Sequence, residues 1–142
     1  MSAPSYQNMK QKILCVDDEE AVINFMDLFL SKHYEVHTAK SGTEALEIFQ
    51  EEGPFNVILS DVQMPNMTGV ELVPKVLELS PNTNCILLTG HSDFTRVHEL
   101  LNSGQVYKYI VKPVLPKALL EVIEDALKAS PSTNLDESIA EA

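Results

Sequence analysis

The sequence predicts an α/β fold, a doubly wound, five-stranded parallel sheet with helices on both faces. Its 142 residues are the length of one domain with one hydrophobic core. Five short apolar runs alternate with five segments in which apolar residues recur with a helical period. Strict alternation of strands and helices is typical of a parallel sheet, because each strand is joined to the next by a helix that crosses one face.

The first predicted strand is the apolar run Lys12 to Val16, which ends at four consecutive carboxylates. The first helix follows, and its predicted inward face is formed by residues with i, i+3, i+4, i+7 spacing: Val22, Phe25, Met26 and Phe29. Tyr34 to Thr38 is shorter and more polar, so we predict a second strand near an edge of the sheet.

Ser41 and Glu44 have the spacing of a capping box and predict the start of the second helix, which Gly53-Pro54 ends. Residues 55–60 predict a third strand that leads directly into Asp61. A third helix is predicted from about residue 69 to residue 79. Pro74 lies inside it and removes a backbone donor, so we expect a kink or a late start there.

Asn84 to Thr89 predicts a fourth, buried strand, and a helix that closes at Ser103-Gly104 follows it. The predicted inward residues of this helix are Phe94, Val97 and Leu101. Val106 to Val111 is the fifth predicted strand, and Pro116 opens the last helix. The apolar stripe predicted for the last helix is Leu119, Leu120, Ile123 and Leu127. We therefore expect a flexible segment over residues 1–11, a folded domain over 12–129 and a disordered tail or linker over 130–142.

The chain is acidic, with 21 Asp and Glu against 10 Lys and Arg and a formal charge of −11. This balance argues against direct nucleic-acid binding, which depends on Lys and Arg. There is no apolar run of membrane-spanning length and no apolar segment typical of a secretory signal, so we expect a cytoplasmic protein. Cys15 and Cys85 lie in apolar runs and are predicted to be buried free thiols.

Polar side chains follow four of the predicted strands. Asp17 and Asp18 follow the first strand, Asp61 the third, Thr89 ends the fourth, and Lys112 follows the fifth. The carboxyl ends of parallel strands lie at one edge of the sheet, where such folds bind their ligands. Three carboxylates, a hydroxyl and an ammonium group are therefore predicted to converge.

Carboxylates packed this closely need a cation, and oxygen ligands on loops suit Mg²⁺, with Mn²⁺ as the alternative. Asp61 is then the expected nucleophile for a phosphoryl group, because an aspartyl phosphate is an established type of covalent intermediate. Lys112 can neutralise one phosphoryl oxygen, and the Thr89 hydroxyl can bind another. A flavin or dinucleotide is excluded, since the loop after the first strand carries acids instead of glycines.

These motifs occur in order along the chain: Asp17-Asp18, Asp61, Met64-Pro65 with Gly69, Thr89-Gly90 and Lys112-Pro113. In this combination the chain resembles the receiver domain of two-component response regulators, among them the chemotaxis regulators. The resemblance extends from Ile13 to Lys128. It implies a flavodoxin-like sheet with strand order 2-1-3-4-5. It also implies that Asp61 accepts phosphate from a histidine kinase or a histidine phosphotransfer protein.

The same resemblance assigns roles at the site. It implies that Asp18, Asp61 and the backbone carbonyl of Gln63 hold Mg²⁺, with Asp17 binding directly or through water. Thr89 and Tyr109 would be the switch pair, and the Lys112-Pro113 bond would be cis. Tyr107 is expected on the same face as Tyr109, so one of the two tyrosines can serve packing alone. Gln63 and His91 occupy positions at which receivers tune dephosphorylation.

A receiver domain is a signalling phosphoacceptor, not an enzyme, although it assists its own phosphorylation and dephosphorylation. The output expected by resemblance is a change in the face formed by the fourth helix, fifth strand and fifth helix. That face would act on a downstream protein or on a covalently linked effector domain.

Two alternatives remain at this stage. A haloacid-dehalogenase-like phosphatase also uses an aspartyl nucleophile, but it needs D-x-D-x-T after the first strand, where this chain has Asp17-Asp18-Glu19-Glu20-Ala21. The other alternative is a receiver-like scaffold that no longer takes phosphate, against which the complete set of site residues argues.

Overall fold

The computed structural model describes residues 11–90 and 94–129. In this part of the chain one sheet is formed by five parallel strands: β1 (Lys12–Val16), β2 (Glu35–Ala39), β3 (Val57–Asp61), β4 (Asn84–Thr89) and β5 (Lys108–Val111). Their order is β2-β1-β3-β4-β5. The predicted α/β class and the strand order 2-1-3-4-5 are therefore confirmed.

Five helices connect these strands and flank the sheet: α1 (Glu20–Leu30), α2 (Gly42–Glu52), α3 (Gly69–Leu79), α4 (Phe94–Asn102) and α5 (Pro116–Lys128). One core layer lies under α2, α3 and α4 and includes Phe49, Leu72 and Val97. The other lies under α1 and α5 and includes Ile23 and Leu119. Helices thus cover both faces of the sheet, as the alternation of elements predicts.

The three central strands are buried on both faces. Along β1, Leu14 packs into the layer under α2, α3 and α4, which we call the α2–α4 layer. Cys15 packs into the layer under the two helices α1 and α5, which we call the α1–α5 layer. This is why these strands are continuous apolar runs instead of alternating ones. Both edge strands, β2 and β5, are partly exposed. The edge position predicted for the second strand is confirmed.

Cys15 and Cys85 are buried free thiols on opposite faces of the sheet, as expected from their apolar surroundings. Burial raises the pKa of Cys85 to about 12. Burial also raises the pKa of Cys15, and the charge of Asp27 adds to the effect. Both thiols are therefore protonated and unreactive at neutral pH.

The predicted inward face of α1 is wrong in part. The buried residues of this helix are Ile23, Met26 and Leu30. Phe25 is 43% exposed, and Val22 and Phe29 only flank the core. Apolar residues occur on more than one side of α1, so periodicity alone does not select the stripe that packing buries.

The helix starts depend on local capping. The Ser41 hydroxyl accepts a hydrogen bond from Glu44 N at 3.1 Å, while the Glu44 carboxylate accepts one from Lys40 N instead of closing the box on Ser41. At α3, a complete capping box joins Thr68 and Glu71. This cap lets α3 begin at Gly69, so the late start suggested by Pro74 is wrong.

Other boundaries differ by one or two residues, which is the usual uncertainty at element ends. Strand β3 includes Asp61 as its last residue, where the sequence predicts an end at residue 60. Strand β5 begins at Lys108, two residues after the predicted start. On α5 the buried residues are Leu119, Ile123 and Ala126, while Leu120 and Leu127 are partly buried.

The domain limits stay a prediction, because residues 1–10 and 130–142 lie outside the described residues. None of the helices described is long and apolar enough to cross a bilayer.

Candidate functional site

The parallel sheet brings the predicted site residues to its carboxyl edge. Asp17 follows β1, Asp61 ends β3, Thr89 ends β4 and Lys112 follows β5. The strand register places these ends at nearly the same level, since Asp61 pairs with Leu88 and Thr89 with Val111. The convergence expected from the sequence is present.

Three carboxylates form a compact cluster. Asp17, Asp18 and Asp61 each offer an oxygen, and these oxygens lie within 4.8 Å of one another. Asp17 is fully buried and Asp61 is 4% exposed, whereas Asp18 is exposed. Like charges at this spacing repel one another, and burial strengthens the repulsion by removing water.

Asp17 shows the cost of this arrangement most clearly. Its Oδ1 atom accepts a hydrogen bond from Glu19 N at 2.9 Å. Its buried Oδ2 atom has no hydrogen-bond partner among the described residues. Burial raises the pKa of Asp17, the Glu19 hydrogen bond opposes this, and the negative charge of Asp61 raises the pKa further.

Lys112 provides the positive charge of the site. Its Nζ atom lies 2.9 Å from Asp61 Oδ1, and its side chain is about one-third exposed. Burial lowers the pKa of Lys112, but its hydrogen bond to Asp61 and the nearby charges of Asp61, Asp17 and Glu19 outweigh that effect. The pKa of Lys112 is therefore raised, and the ammonium form is kept. The peptide bond between Lys112 and Pro113 is cis.

The cluster suits a small, hard divalent cation. Such ions take oxygen ligands, and Mg²⁺ is typically bound by one or two carboxylates together with water. A buried carboxylate oxygen that has no partner in the described part of the chain, together with two further carboxylates, is the donor set that such an ion completes. One lysine ammonium does not neutralise three carboxylates, so the residues present fit a metal.

The loop after β3 brings a helix close to Asp61. A Cβ atom at Gly69 would clash with the main-chain oxygen of Asp61. Gly69 N also donates to Val62 O at 2.9 Å, which closes the loop. Because Gly69 has no side chain, the start of α3 can pack closely against the end of β3. Gln63 in this loop is exposed.

The two hydroxyl residues differ in their surroundings. Thr89 is fully buried, and its hydroxyl donates to the main-chain oxygen of Gly90 at 2.8 Å. Tyr109 is half-buried against the α2–α4 layer. Its hydroxyl is hydrogen-bonded to Nε2 of His98 on α4, at 3.2 Å.

Tyr107 does not share the face of Tyr109, contrary to the sequence-based expectation. It packs against the α1–α5 layer, whereas Tyr109 packs against the α2–α4 layer. Tyr107 precedes the first residue of β5, so the alternation of a regular strand does not extend to it.

Sequence reasoning missed the contact between His98 and Tyr109. No local signal reveals this contact, because it depends on how α4 packs beside β5. His91 lies outside the described residues.

Comparison with known proteins bears directly on this arrangement. The family model of the response regulator receiver domain matches residues 13–124. The chain belongs to this family. The membership removes the dehalogenase-like alternative, and curated response regulators support it. One of them, the transcriptional regulatory protein GlrR of Escherichia coli, is 34% identical over 124 residues, which are 86% of this chain and 28% of that protein.

Solved structures agree on the receiver fold. A CheY-like response regulator receiver domain protein from Methanospirillum hungatei is 34% identical with a TM-score of 0.76, and the match covers 94% of this chain and 99% of that one. A structure described as an adenylate cyclase from Rhodopirellula baltica is 34% identical with a TM-score of 0.86, covering 94% and 98%. The chain spans between 24% and 53% of the length of the curated relatives it matches.

Proposed function

We propose that Asp61 is the phosphoacceptor of this receiver domain and takes its phosphoryl group from a phosphohistidine. The donor is a histidine kinase or a histidine phosphotransfer protein. One observation carries the proposal: the Lys112 ammonium lies 2.9 Å from Asp61 Oδ1, and the same carboxylate cluster holds Asp17, whose buried Oδ2 has no hydrogen-bond partner among the described residues. An acceptor carboxylate, a fixed positive charge and a vacant oxygen ligand are the parts that phosphoryl transfer requires.

The ligands we assign to Mg²⁺, or to Mn²⁺ in its place, are Asp17, Asp18, Asp61 and the main-chain carbonyl of Gln63. When bound, the cation neutralises charge on the phosphoryl oxygens and on the carboxylates around them. The three carboxylates of this set already lie within ligand reach of one another, which supports the assignment.

The transfer itself uses the side chains at the strand ends. A carboxylate oxygen of Asp61 forms a bond to phosphorus while the bond between phosphorus and the donor imidazole nitrogen breaks. The imidazole leaves with the electron pair of that bond. Lys112 exchanges its contact with Asp61 for one with a phosphoryl oxygen. The Thr89 hydroxyl turns away from Gly90 O and donates a hydrogen bond to a second phosphoryl oxygen. The domain acts as a signalling phosphoacceptor, not as an enzyme with turnover on free substrates.

The output follows from the movement of Thr89. As its hydroxyl turns toward the phosphoryl group, Tyr109 moves inward behind it and the face formed by α4, β5 and α5 changes. That face acts on a downstream protein or on a covalently linked effector domain. The greater length of the curated relatives supports a linked effector. The Gln63 side chain and His91 are proposed to tune dephosphorylation, and the cytoplasmic location stays a prediction.

The phosphoacceptor is tested by intact-mass measurement after incubation with acetyl phosphate and Mg²⁺. We expect the wild type to gain the mass of one phosphoryl group and the Asp61→Asn variant to gain none. Asp125→Asn changes an exposed aspartate on α5 and serves as the matched control, so it should behave as the wild type does. An equal mass gain in wild type and Asp61→Asn would refute the assignment of Asp61.

A further inference from the structure

His98 and Tyr109 connect α4 to the edge strand β5. The Nε2 atom of His98 lies 3.2 Å from the Tyr109 hydroxyl. The two ring centroids are 5.2 Å apart, with the ring planes tilted by 43°. The pair therefore has both a polar contact and a ring contact.

Both contacts depend on where the Tyr109 side chain points. Its ring rests against the apolar layer under α4, and its hydroxyl reaches the exposed His98 at the surface. A rotation of Tyr109 about its Cα–Cβ bond would carry the ring away from His98 and break both contacts together. The pair thus stabilises one rotamer of Tyr109 relative to the others.

We propose that His98 is a positioning residue that holds Tyr109 against α4 and so opposes phosphorylation of Asp61. We call this pair of contacts the His98–Tyr109 latch. This inference rests on the proposed function, in which Tyr109 moves when Asp61 carries a phosphoryl group. If the phosphoryl group favours a moved Tyr109, then a freed Tyr109 must favour the phosphoryl group by the same factor, because coupling between two sites is reciprocal. The His98–Tyr109 latch therefore sets how tightly the site holds a phosphoryl group.

The chemistry of the pair explains why histidine is suited to this position. An imidazole supplies a ring face and a hydrogen-bonding nitrogen at once. Phenylalanine would keep the ring contact without the hydrogen bond, and alanine would remove both. The pair can therefore be dissected with His98→Phe, His98→Ala and Tyr109→Phe, the last of which removes only the hydroxyl.

Two measurements on the full chain test the latch. Three-bond NMR couplings to the Cβ protons report the rotamer of Tyr109 without any phosphodonor. The affinity for beryllium trifluoride in the presence of Mg²⁺ reports how well the site holds a phosphoryl-like group. Glu99→Ala, at the exposed neighbour of His98 on α4, is the matched control.

In the wild type we expect a single Tyr109 rotamer. In His98→Ala the couplings should average over several rotamers, and the affinity for beryllium trifluoride should rise between about twofold and tenfold, the range that corresponds to one hydrogen bond. His98→Phe should fall between wild type and His98→Ala, and Glu99→Ala should match wild type. In a Tyr109→Phe background, His98→Ala should change the affinity less than it does alone.

An unchanged Tyr109 rotamer in His98→Ala would overturn the latch. So would a freed rotamer with wild-type affinity, since Tyr109 would then not be coupled to the site. A wild type that binds no beryllium trifluoride would be a different result, because it would overturn the proposed function and the role of the latch with it.

Discussion

Buried polar groups at the amino-terminal edge of the sheet are paired with main-chain atoms, whereas those at the carboxyl edge are crowded together. At the amino-terminal edge, Asn84 Nδ2 donates to Ala126 O at 2.8 Å and the Thr83 hydroxyl donates to Phe55 O at 2.8 Å. At the carboxyl edge, Asp17 Oδ2 has no partner among the described residues and two more carboxylates lie beside it.

The two edges therefore contribute differently to the free energy of unfolding. Hydrogen bonds of buried amides and hydroxyls stabilise the fold, since losing one partner leaves the other unsatisfied. A buried, unpaired carboxylate destabilises the fold until a cation reaches it. One edge of this sheet stabilises the fold, and we propose that the other binds a cation.

Among the substitutions at the two edges, the largest expected effect on the free energy of unfolding lies at the paired edge. Asn84→Ala removes the donor to Ala126 O and so deprives that main-chain carbonyl of its buried side-chain partner between β4 and α5. We expect the free energy of unfolding, measured by urea titration, to fall by about 2 kcal/mol. Phosphorylation by acetyl phosphate should be unaffected where the variant is folded.

Asn82→Ala is the control for that substitution, because Asn82 is exposed two residues away. It should change the free energy of unfolding by less than about 0.5 kcal/mol. If Asn84→Ala were as mild as this control, the paired edge would not stabilise the fold as we describe.

At the carboxyl edge we expect a smaller change in the free energy of unfolding, and of opposite sign. Asp17→Asn removes a buried charge that repels Asp61 and Asp18. In EDTA at neutral pH we expect the free energy of unfolding to rise by about 1 kcal/mol. Asp125→Asn, at an exposed site, should leave it unchanged. A destabilised Asp17→Asn variant would show that the carboxylate is paired in the metal-free protein.

The pH dependence of the same pair of proteins sharpens this prediction. Burial raises the pKa of Asp17 in the folded state above its ordinary value of 3.8, so the folded state binds more protons than the unfolded state does. In EDTA, the stability of wild type relative to Asp17→Asn should therefore fall as pH rises from the ordinary pKa through the folded one. A relative stability that rises over this window would contradict the sign of the shift.

The sequence predicts the carboxyl edge well because strand ends are local features. The bounds of β1, β4 and α3 follow from apolar runs and turn residues, and parallel pairing then brings Asp61, Thr89 and Lys112 together. Sequence reasoning fails where tertiary packing decides among local alternatives. The buried stripe of α1 is one such case, since Phe25 and Ile23 both fit a helical period and only packing into the α1–α5 layer buries Ile23.

The contacts of aromatic side chains are the other failure. Tyr107 and Tyr109 are two residues apart, yet they pack on opposite faces because β5 begins between them. His98 meets Tyr109 across two different elements, and nothing within either segment indicates the pair. Such contacts depend on the relative placement of α4 and β5, which periodicity does not encode.

The most direct test of a carboxyl edge built for a cation is the melting temperature of wild type in EDTA and in Mg²⁺ at neutral pH. A ligand that binds only the folded state stabilises it by about 2.7 kcal/mol at one hundred times its dissociation constant. We predict that Mg²⁺ raises the melting temperature of wild type and of Asp125→Asn, and raises that of Asp17→Asn much less. A wild-type melting temperature that is the same in EDTA and in saturating Mg²⁺ would contradict the account.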